Sequence, residues 1–589
     1  PGVGVYFDSL MHRVSREDTT LYRDAAGEFF MAKSETEDAQ LYITSEKQIS
    51  AVTVDVGALA NEAGDELGYT LLDEHYYDRV VFKSTLSGER FDSPIDDGAH
   101  GEALPRLRTP LDLQENESHA IVVQVATTAS DASGWYAAPV TLKTADGTVV
   151  KEAILRVYVF NFTLDEKPAM ETAIGFNFDK VYEQAAKEEA KNRAGSDAVD
   201  RSDVYAVMNE EAFREEYKPR IAEQYMQLFL DSRISPYHLP YSVTDPRADE
   251  IMSNPRLTTF CIDGGGNYHE ALKSAMAEGG WITSDAKYIS TYRKLAQNEE
   301  WLHKAYVYYV DEPSPYNVGL ARQVKEHIDG VLDSTDDLKG LEWHQVVPMG
   351  GNDYFVDEFG IKTDENDYLY RYVDIMIPGT PSFTRYYTSA ERKEFKKQYG
   401  YDPLNIPGIV CNWITADIWK LYPEQWQQRY DKYAEEGRRR WWYLCCAPEM
   451  PYPNFFTFYQ GNVMRVLFWQ QYLFHVEGFL YWTTQDQWDR TTLTDFPTNG
   501  DGVLLYWGEM WGQHEPVTSI RWEYIRDGIE DFQYFSQLER AGVGRDEVLS
   551  KYVNCVTTSI LEYNDTDPYA YEDTRIEMGF ALERLSAAD

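Results

Sequence analysis

From about residue 170 the chain repeats a rhythm of short apolar run, loop and helical stretch, and this rhythm limits its possible folds more than any other feature. Eight such runs can be counted, at 172–178, 235–239, 257–263, 305–310, 343–348, 373–378, 440–446 and 478–483. They are rich in β-branched and aromatic residues, as strands buried on both faces require. Strands that alternate with helices predict parallel pairing through crossover connections, and eight repeats predict a (β/α)8 barrel.

Residues 1 to about 165 read differently. Segments such as Leu41–Thr44, Ala51–Val56 and Ala120–Val125 are short and β-rich, and Gly, Asp and Ser turns separate them. The runs 138–142 and 152–159 flank Asp146-Gly147, a strong hairpin signal. This pattern predicts an antiparallel β-sandwich. Leu164–Pro168 reads as a linker. The expected organisation is a sandwich over 1–165, a barrel over 166–535 and closing helices over 536–589, including one over 545–563. A chain of 589 residues is too long for a single small core.

The charge balance narrows the partners. Lys plus Arg number 55 against 98 Asp plus Glu, a net charge of −43. Such a surface repels nucleic acid and anionic membranes. No stretch reaches the roughly 20 apolar residues of a membrane-spanning helix. Five cysteines form neither a disulfide framework nor a metal-binding spacing. Cys445 and Cys446 fall in a strand-like run, where neighbours face opposite sides. Phosphate loops, dinucleotide fingerprints and zinc-helix motifs are missing from the sequence, so the expectation is an enzyme with no cofactor and no metal. The aromatic content, 14%, serves core packing and also suits the stacking of sugar rings. The start at Pro1 lacks both an initiator Met and a signal-peptide pattern, which reads as processed or truncated; a secreted, periplasmic or surface-anchored location is the expectation.

The fourth run ends in Asp311-Glu312-Pro313. Proline cannot extend a hydrogen-bond ladder, so the two acids mark the carboxyl end of a buried strand. In α/β folds that edge carries the chemistry. Adjacent carboxylates resist joint ionisation, so one tends to hold its proton while the other stays charged. Glycoside hydrolysis uses that division of labour. A solvated strand-end pair is the structural reading of the same residues. On the same rim fall Asn177 and Asp179, His238 and Tyr241, Asp263, Asn352 and Asp353, Tyr443, Trp482 and Gln485. Each has a plain structural role available as well: Asp263, before three glycines, suits a turn cap, and His238 suits a hydrogen-bonded core position.

Six collinear segments between about 300 and 535 carry a family resemblance. Val307–Pro313, Trp441–Pro448, Tyr452–Phe456, Gly478–Trp482, Gly500–Tyr506 and Ser519–Asp531 resemble glycoside hydrolase family 123 and its uncharacterised relatives. Trp507, where proline is expected, is a small departure beside the pocket rim. The resemblance implies an exo-acting, retaining β-N-acetylgalactosaminidase that uses substrate-assisted catalysis. Glu312 would be the general acid/base, with a raised pKa, and Asp311 the charged group that holds the 2-acetamido. Trp482 is expected to floor the sugar site and Tyr443 to bond the acetamido oxygen. The partner implied is a glycolipid or oligosaccharide with terminal β-linked N-acetylgalactosamine, and a homodimer is possible. A glycosidase acting on a sugar without an acetamido, or a non-catalytic carbohydrate-binding protein, is the alternative reading.

Overall fold

The computed structural model describes residues 2–19, 27–78, 98–314, 317–349, 369–385, 387–399, 402–403, 431–486, 488 and 499–588. The N-terminal strands are β1 (Val3–Ser9), β2 (Gly27–Lys33), β3 (Thr36–Ser45), β4 (Ile49–Val56), β5 (Leu59–Ala60), β6 (Glu66–Asp73), β7 (His75–Asp78), β8 (Ala99–Leu104), β9 (Leu111–Leu113), β10 (Ser118–Ala126), β11 (Gly134–Lys143) and β12 (Val149–Thr163). Ten of them make one large sheet in the order β1-β3-β10-β6-β5-β11-β12-β2, with β4 joining β11 to β9. Its two ends, β1 and β2, lie against each other, so the sheet is nearly closed. Every pairing is antiparallel except β12 with β2. The turn Thr144–Thr148 joins β11 to β12 with Gly147 at φ +84°, a conformation open to glycine.

Side-chain alternation sets what this sheet covers. Tyr136, Ala138, Val140 and Leu142 on β11 point into the sheet's own core, while Trp135 points to solvent. β10 is buried on both faces. Ile121, Val123 and Val125 enter the same core, whereas Val122 packs into the larger core shared with the rest of the chain.

The remaining strands are β13 (Glu171–Ile174), β14 (Phe260–Gly264), β15 (Ala305–Tyr308), β16 (His344–Pro348), β17 (Ile375–Ile377), β18 (Trp441–Leu444), β19 (Gly478–Tyr481) and β20 (Thr518–Ser519). β14-β15-β16-β17 and β13-β19-β18 form two all-parallel sheets. A bridge from Gly379 to Tyr443 links one side of these sheets. On the other side Ile174 bridges to Pro236, and the Cys261 amide donates to the Tyr237 carbonyl at 2.6 Å. The run expected as a strand at 235–239 is present only as that bridge. Its proline lacks the amide a ladder needs. Both sheets surround one apolar cluster containing Tyr237, Tyr306, Tyr308, Trp441, Tyr443 and Leu480.

The molecule as a whole is a mixed, multidomain α/β fold, and its parts are closely joined. β20 pairs with β8. Phe160 on β12 meets Phe580 on the helix Ala570–Ser586, with ring centroids 5.1 Å apart. The expected linker at 164–168 is pinned: Arg233 donates to the Asp165 and Glu166 carbonyls, and Arg256 pairs with Glu166 at 2.6 Å. The helix Ile520–Arg540 runs through the boundary expected at 535. The single closing helix expected over 545–563 is instead one short turn, Arg545–Val548, a π-turn, Leu549–Val553, and a bridge from Thr557 to Tyr563. Among the described residues, no helix is long and apolar enough to cross a membrane.

Candidate active site

β15 is entirely buried, and Tyr309 and Val310 continue its path through the interior. The chain then surfaces: Asp311 is half-buried and Glu312 is exposed. Glu312 has φ +41°, a left-handed conformation that strains a residue with a Cβ. Its amide is anchored to the Pro348 carbonyl at the end of β16, at 2.9 Å. The reversal turns the two successive acids away from an ordinary strand path.

A tyrosine hydroxyl holds each carboxyl. Tyr308 donates to Asp311 Oδ1 at 2.9 Å, and Tyr443 on β18 donates to Glu312 Oε1. Both tyrosines belong to the apolar cluster inside the parallel sheets, so they reach outward from a rigid base. Tyr443, expected to bond the acetamido oxygen, has its hydroxyl on the acid Glu312. Burial, then the neighbouring Glu312 charge, pushes the Asp311 carboxyl up to about 6, against the opposing Tyr308 hydrogen bond. The sequence-based expectation placed this upward shift on Glu312. The structure puts Asp311 in the more enclosed position, and desolvation falls there.

His269 was not foreseen. It is buried, and its Nε2 accepts the Asp311 amide at 3.1 Å. Nδ1 therefore carries the ring proton. The Asn317 side-chain Nδ2 lies 3.1 Å from that nitrogen. Burial lowers the His269 pKa, in keeping with a neutral ring. The sequence signal was faint: a histidine just after the Gly264-Gly265-Gly266 loop, 42 residues from the acid it supports.

That glycine loop serves close packing. A Cβ on Gly264, at φ +86°, would sit 2.0 Å from the Tyr308 carbonyl oxygen, and one on Gly265 would strike the His238 ring at 2.5 Å. His238 Nε2 donates to the Gly264 carbonyl at 3.0 Å, and burial lowers its pKa. Asp263 accepts from Thr283 and from the Gly264 amide. His238 and Asp263 thus shape the loop beside β15.

Asn177 and Gln485 form a second structural pair. The Asn177 side chain caps the helix Phe178–Ala194, accepting from the Asp179 amide at 2.9 Å, and its own amide donates to Gln485 Oε1. Gln485 is fully buried. Trp482, by contrast, is 40% exposed. Asp501 fixes it, accepting the indole Nε1–H at 3.1 and 3.2 Å while also taking the Tyr481 hydroxyl at 2.9 Å. Burial pushes the Asp501 carboxyl up to about 6. The Cys446 thiol senses the charges of both Asp501 and Glu312. Asn352 and Asp353 lie outside the described residues.

Among the described residues, one group of carboxylates is close enough to share a metal ion: Glu37, Asp527 and Glu530, all buried. These acids stand among arginines far along the chain from Asp311 and Glu312, and no such group forms at the acid pair.

Residues 384–538 match the family model of the glycoside hydrolase 123 catalytic domain. The matched stretch contains Tyr443, Trp482 and Asp501, while the acid pair lies before it. A family 123 glycoside hydrolase from Clostridium perfringens, described for glycolipid glycan hydrolysis, superposes with a TM-score of 0.60 at 11% identity, over 99% of this chain and 98% of that one. Likeness at that identity shows a shared fold. A putative beta-galactosidase from Bacteroides fragilis aligns over 89% of this chain and 60% of that one, at 11% identity and a TM-score of 0.27, too low to carry an argument. No curated protein sequence matches the chain.

Proposed function

We propose that this chain is a glycosidase of the family 123 type, and specifically an exo-acting, retaining β-N-acetylgalactosaminidase in which the substrate's acetamido supplies the nucleophile. The supporting observation is the arrangement of Asp311 and Glu312: adjacent acids, each held by a tyrosine hydroxyl at the end of a buried strand, one enclosed and one exposed.

The roles follow from those environments. Exposed Glu312 is the general acid that protonates the leaving oxygen, and later the base that takes a proton from water. The acetamido oxygen attacks the anomeric carbon and closes a cyclic oxazolinium. Asp311 accepts the acetamido N–H and stabilises the positive charge that grows on that nitrogen. Low polarity around a carboxylate strengthens its attraction for a cation formed beside it, which is the gain that accompanies the raised Asp311 pKa. Trp482, held by Asp501 and 40% exposed, offers a floor for the sugar ring.

In this reading the two parallel sheets and their bridges make a (β/α)8 barrel, with the large N-terminal sheet as its sandwich neighbour. The domain reading is 1–165 for the sandwich and 166 onward for the barrel, with the closing segment beginning after the helix Ile520–Arg540. The substrate class to try first is a glycolipid glycan or oligosaccharide with terminal β-linked N-acetylgalactosamine. The test is a panel of chromogenic glycosides. The p-nitrophenyl N-acetyl-β-galactosaminide should be cleaved and the plain β-galactoside left intact; equal turnover of both would remove the acetamido from the mechanism.

A further inference from the structure

Cys445 and Cys446 were expected inside a strand, with their side chains on opposite faces. The structure ends β18 at Leu444 and puts both cysteines in the bend that follows. There the two Sγ atoms are 3.9 Å apart. The bend is built: the Cys445 amide donates to the Ala447 carbonyl at 2.9 Å, and the Asn454 side chain donates to the Cys445 carbonyl at 2.9 Å. Cys446 is exposed, whereas Cys445 packs on the apolar cluster containing Tyr308 and Tyr443. One sulfur therefore meets solvent and the other touches the base from which both acid-holding tyrosines project.

We propose that Cys445 and Cys446 are a redox modification site, closed to a vicinal disulfide by peroxide and reopened by dithiols, that governs the grip of Tyr443 on Glu312. The contact with Cys445 holds the Cys446 thiol below its ordinary range, against burial and the nearby Asp501 and Glu312 charges, which favours the attacking thiolate. In the first step that thiolate attacks one peroxide oxygen. The O–O bond breaks, hydroxide leaves and is protonated to water, and Cys446 becomes a sulfenic acid. Cys445 Sγ, giving up its proton, then attacks the sulfenic sulfur. The S–O bond breaks, a second water departs and the disulfide forms. Two thiols and one peroxide give one disulfide and two waters. A bond of about 2 Å draws the sulfurs together and pulls Cys445 within the cluster, two residues from Tyr443.

The activity readout rests on the glycosidase reading above, and the chemical readouts do not. Hydrogen peroxide should convert the 445–446 peptide to a species lighter by two hydrogen atoms that resists alkylation. It should also change the near-UV circular dichroism of the tyrosine-rich interior and lower glycoside turnover by roughly 10²-fold, the scale of a small misplacement. Dithiothreitol should reverse all three. Cys446→Ser should keep its rate and its dichroism in peroxide. Full alkylation of both cysteines after peroxide would overturn the proposal. So would a disulfide that leaves the dichroism unchanged, or a Cys446→Ser chain that loses activity as fast as the parent. If the untreated chain cleaves no glycoside, the functional reading fails, and the peptide mass and dichroism still decide this one.

Discussion

Two regions of this molecule crowd carboxylates together, and they solve the resulting repulsion in opposite ways. Asp311 and Glu312 have tyrosine hydroxyls and no described cationic partner. The second region lies along the helix Ile520–Arg540, which is buried on nearly every side although it carries Arg521, Glu523, Arg526, Asp527, Glu530 and Asp531. There each acid finds a guanidinium. Arg465 grips Asp531 at 2.6 and 2.9 Å; Arg526 reaches Asp38 and Asp527, each at 2.7 Å; and Arg575 reaches Glu37 and Glu530 at 3.2 and 3.3 Å. Burial still pushes Glu530 up to about 7 and Glu523 up to about 8. The helix network joins the N-terminal sheet to the C-terminal helices. The strand-end pair is held by neutral hydrogen bonds from tyrosines on β15 and β18, and under the proposed function its charge is left for a substrate. Charge that is compensated in place serves the fold, and charge that is left open serves chemistry.

The largest expected effect tests the compensated region. Arg526→Met leaves Asp38, Glu523 and Asp527 facing one another without their shared cation. Urea denaturation at pH 7 should show a loss on the order of 3–5 kcal/mol. A loss below about 1 kcal/mol, within the range of exposed pairs, would break the comparison.

Next is the open region, where the same kind of change should act on rate. Glu312→Gln should lower turnover of the acetamido glycoside by about 10²–10⁴-fold, with the denaturation midpoint unmoved. Loss of the midpoint would make Glu312 a structural residue. Addition of azide should restore little, because the nucleophile belongs to the sugar; strong rescue would argue for an enzyme nucleophile instead.

Asp311 connects rate to stability with a definite sign. Its pKa, about 6, lies above the ordinary aspartate value of 3.8, so the folded state binds the proton more tightly. That contribution is complete below about pH 4, fades as pH rises, and is lost above pH 6. Above that point the ionised group costs the fold about 3 kcal/mol at most. Asp311→Asn should therefore be inactive yet more stable than the parent, with its advantage growing from pH 4 to pH 6 and level beyond. An advantage that shrinks over that window would mean the carboxylate is stabilised by partners, as in the helix network. Parent kcat/KM should fall as pH drops through about 6, when Asp311 takes up its proton.

The same contrast explains what the sequence could show. Tyr306 to Val310 announced a buried strand ending in two acids because strand, acids and proline are contiguous. Trp482 and Tyr443 could be placed on the rim for the same local reason. The supports could not. His269 reaches Asp311 across 42 residues, and Tyr443 reaches Glu312 across 131. Asn177 and Gln485, 308 residues apart, fasten to each other. The segment Ser519–Asp531 was legible as a family likeness, but its acids and arginines find partners on β3 nearly 490 residues upstream. Vicinal thiols read as strand residues because no local signal told that β18 would stop at Leu444.

The smallest predicted change concerns Tyr443, where the two regions differ most in kind. In the helix network a lost neutral hydrogen bond would leave the ion pairs standing; at the acid pair, a neutral hydroxyl is the described partner of Glu312. Tyr443→Phe keeps the ring in the apolar cluster and removes only that donor. Without it Glu312 loses the hydrogen bond that fixes its carboxyl. The acidic limb of the rate profile, set by Asp311, should hardly move. Turnover at the optimum should fall roughly tenfold or less, within the 0.5–1.5 kcal/mol of a single net hydrogen bond. A loss as large as that of Glu312→Gln would show that Tyr443 touches the substrate itself.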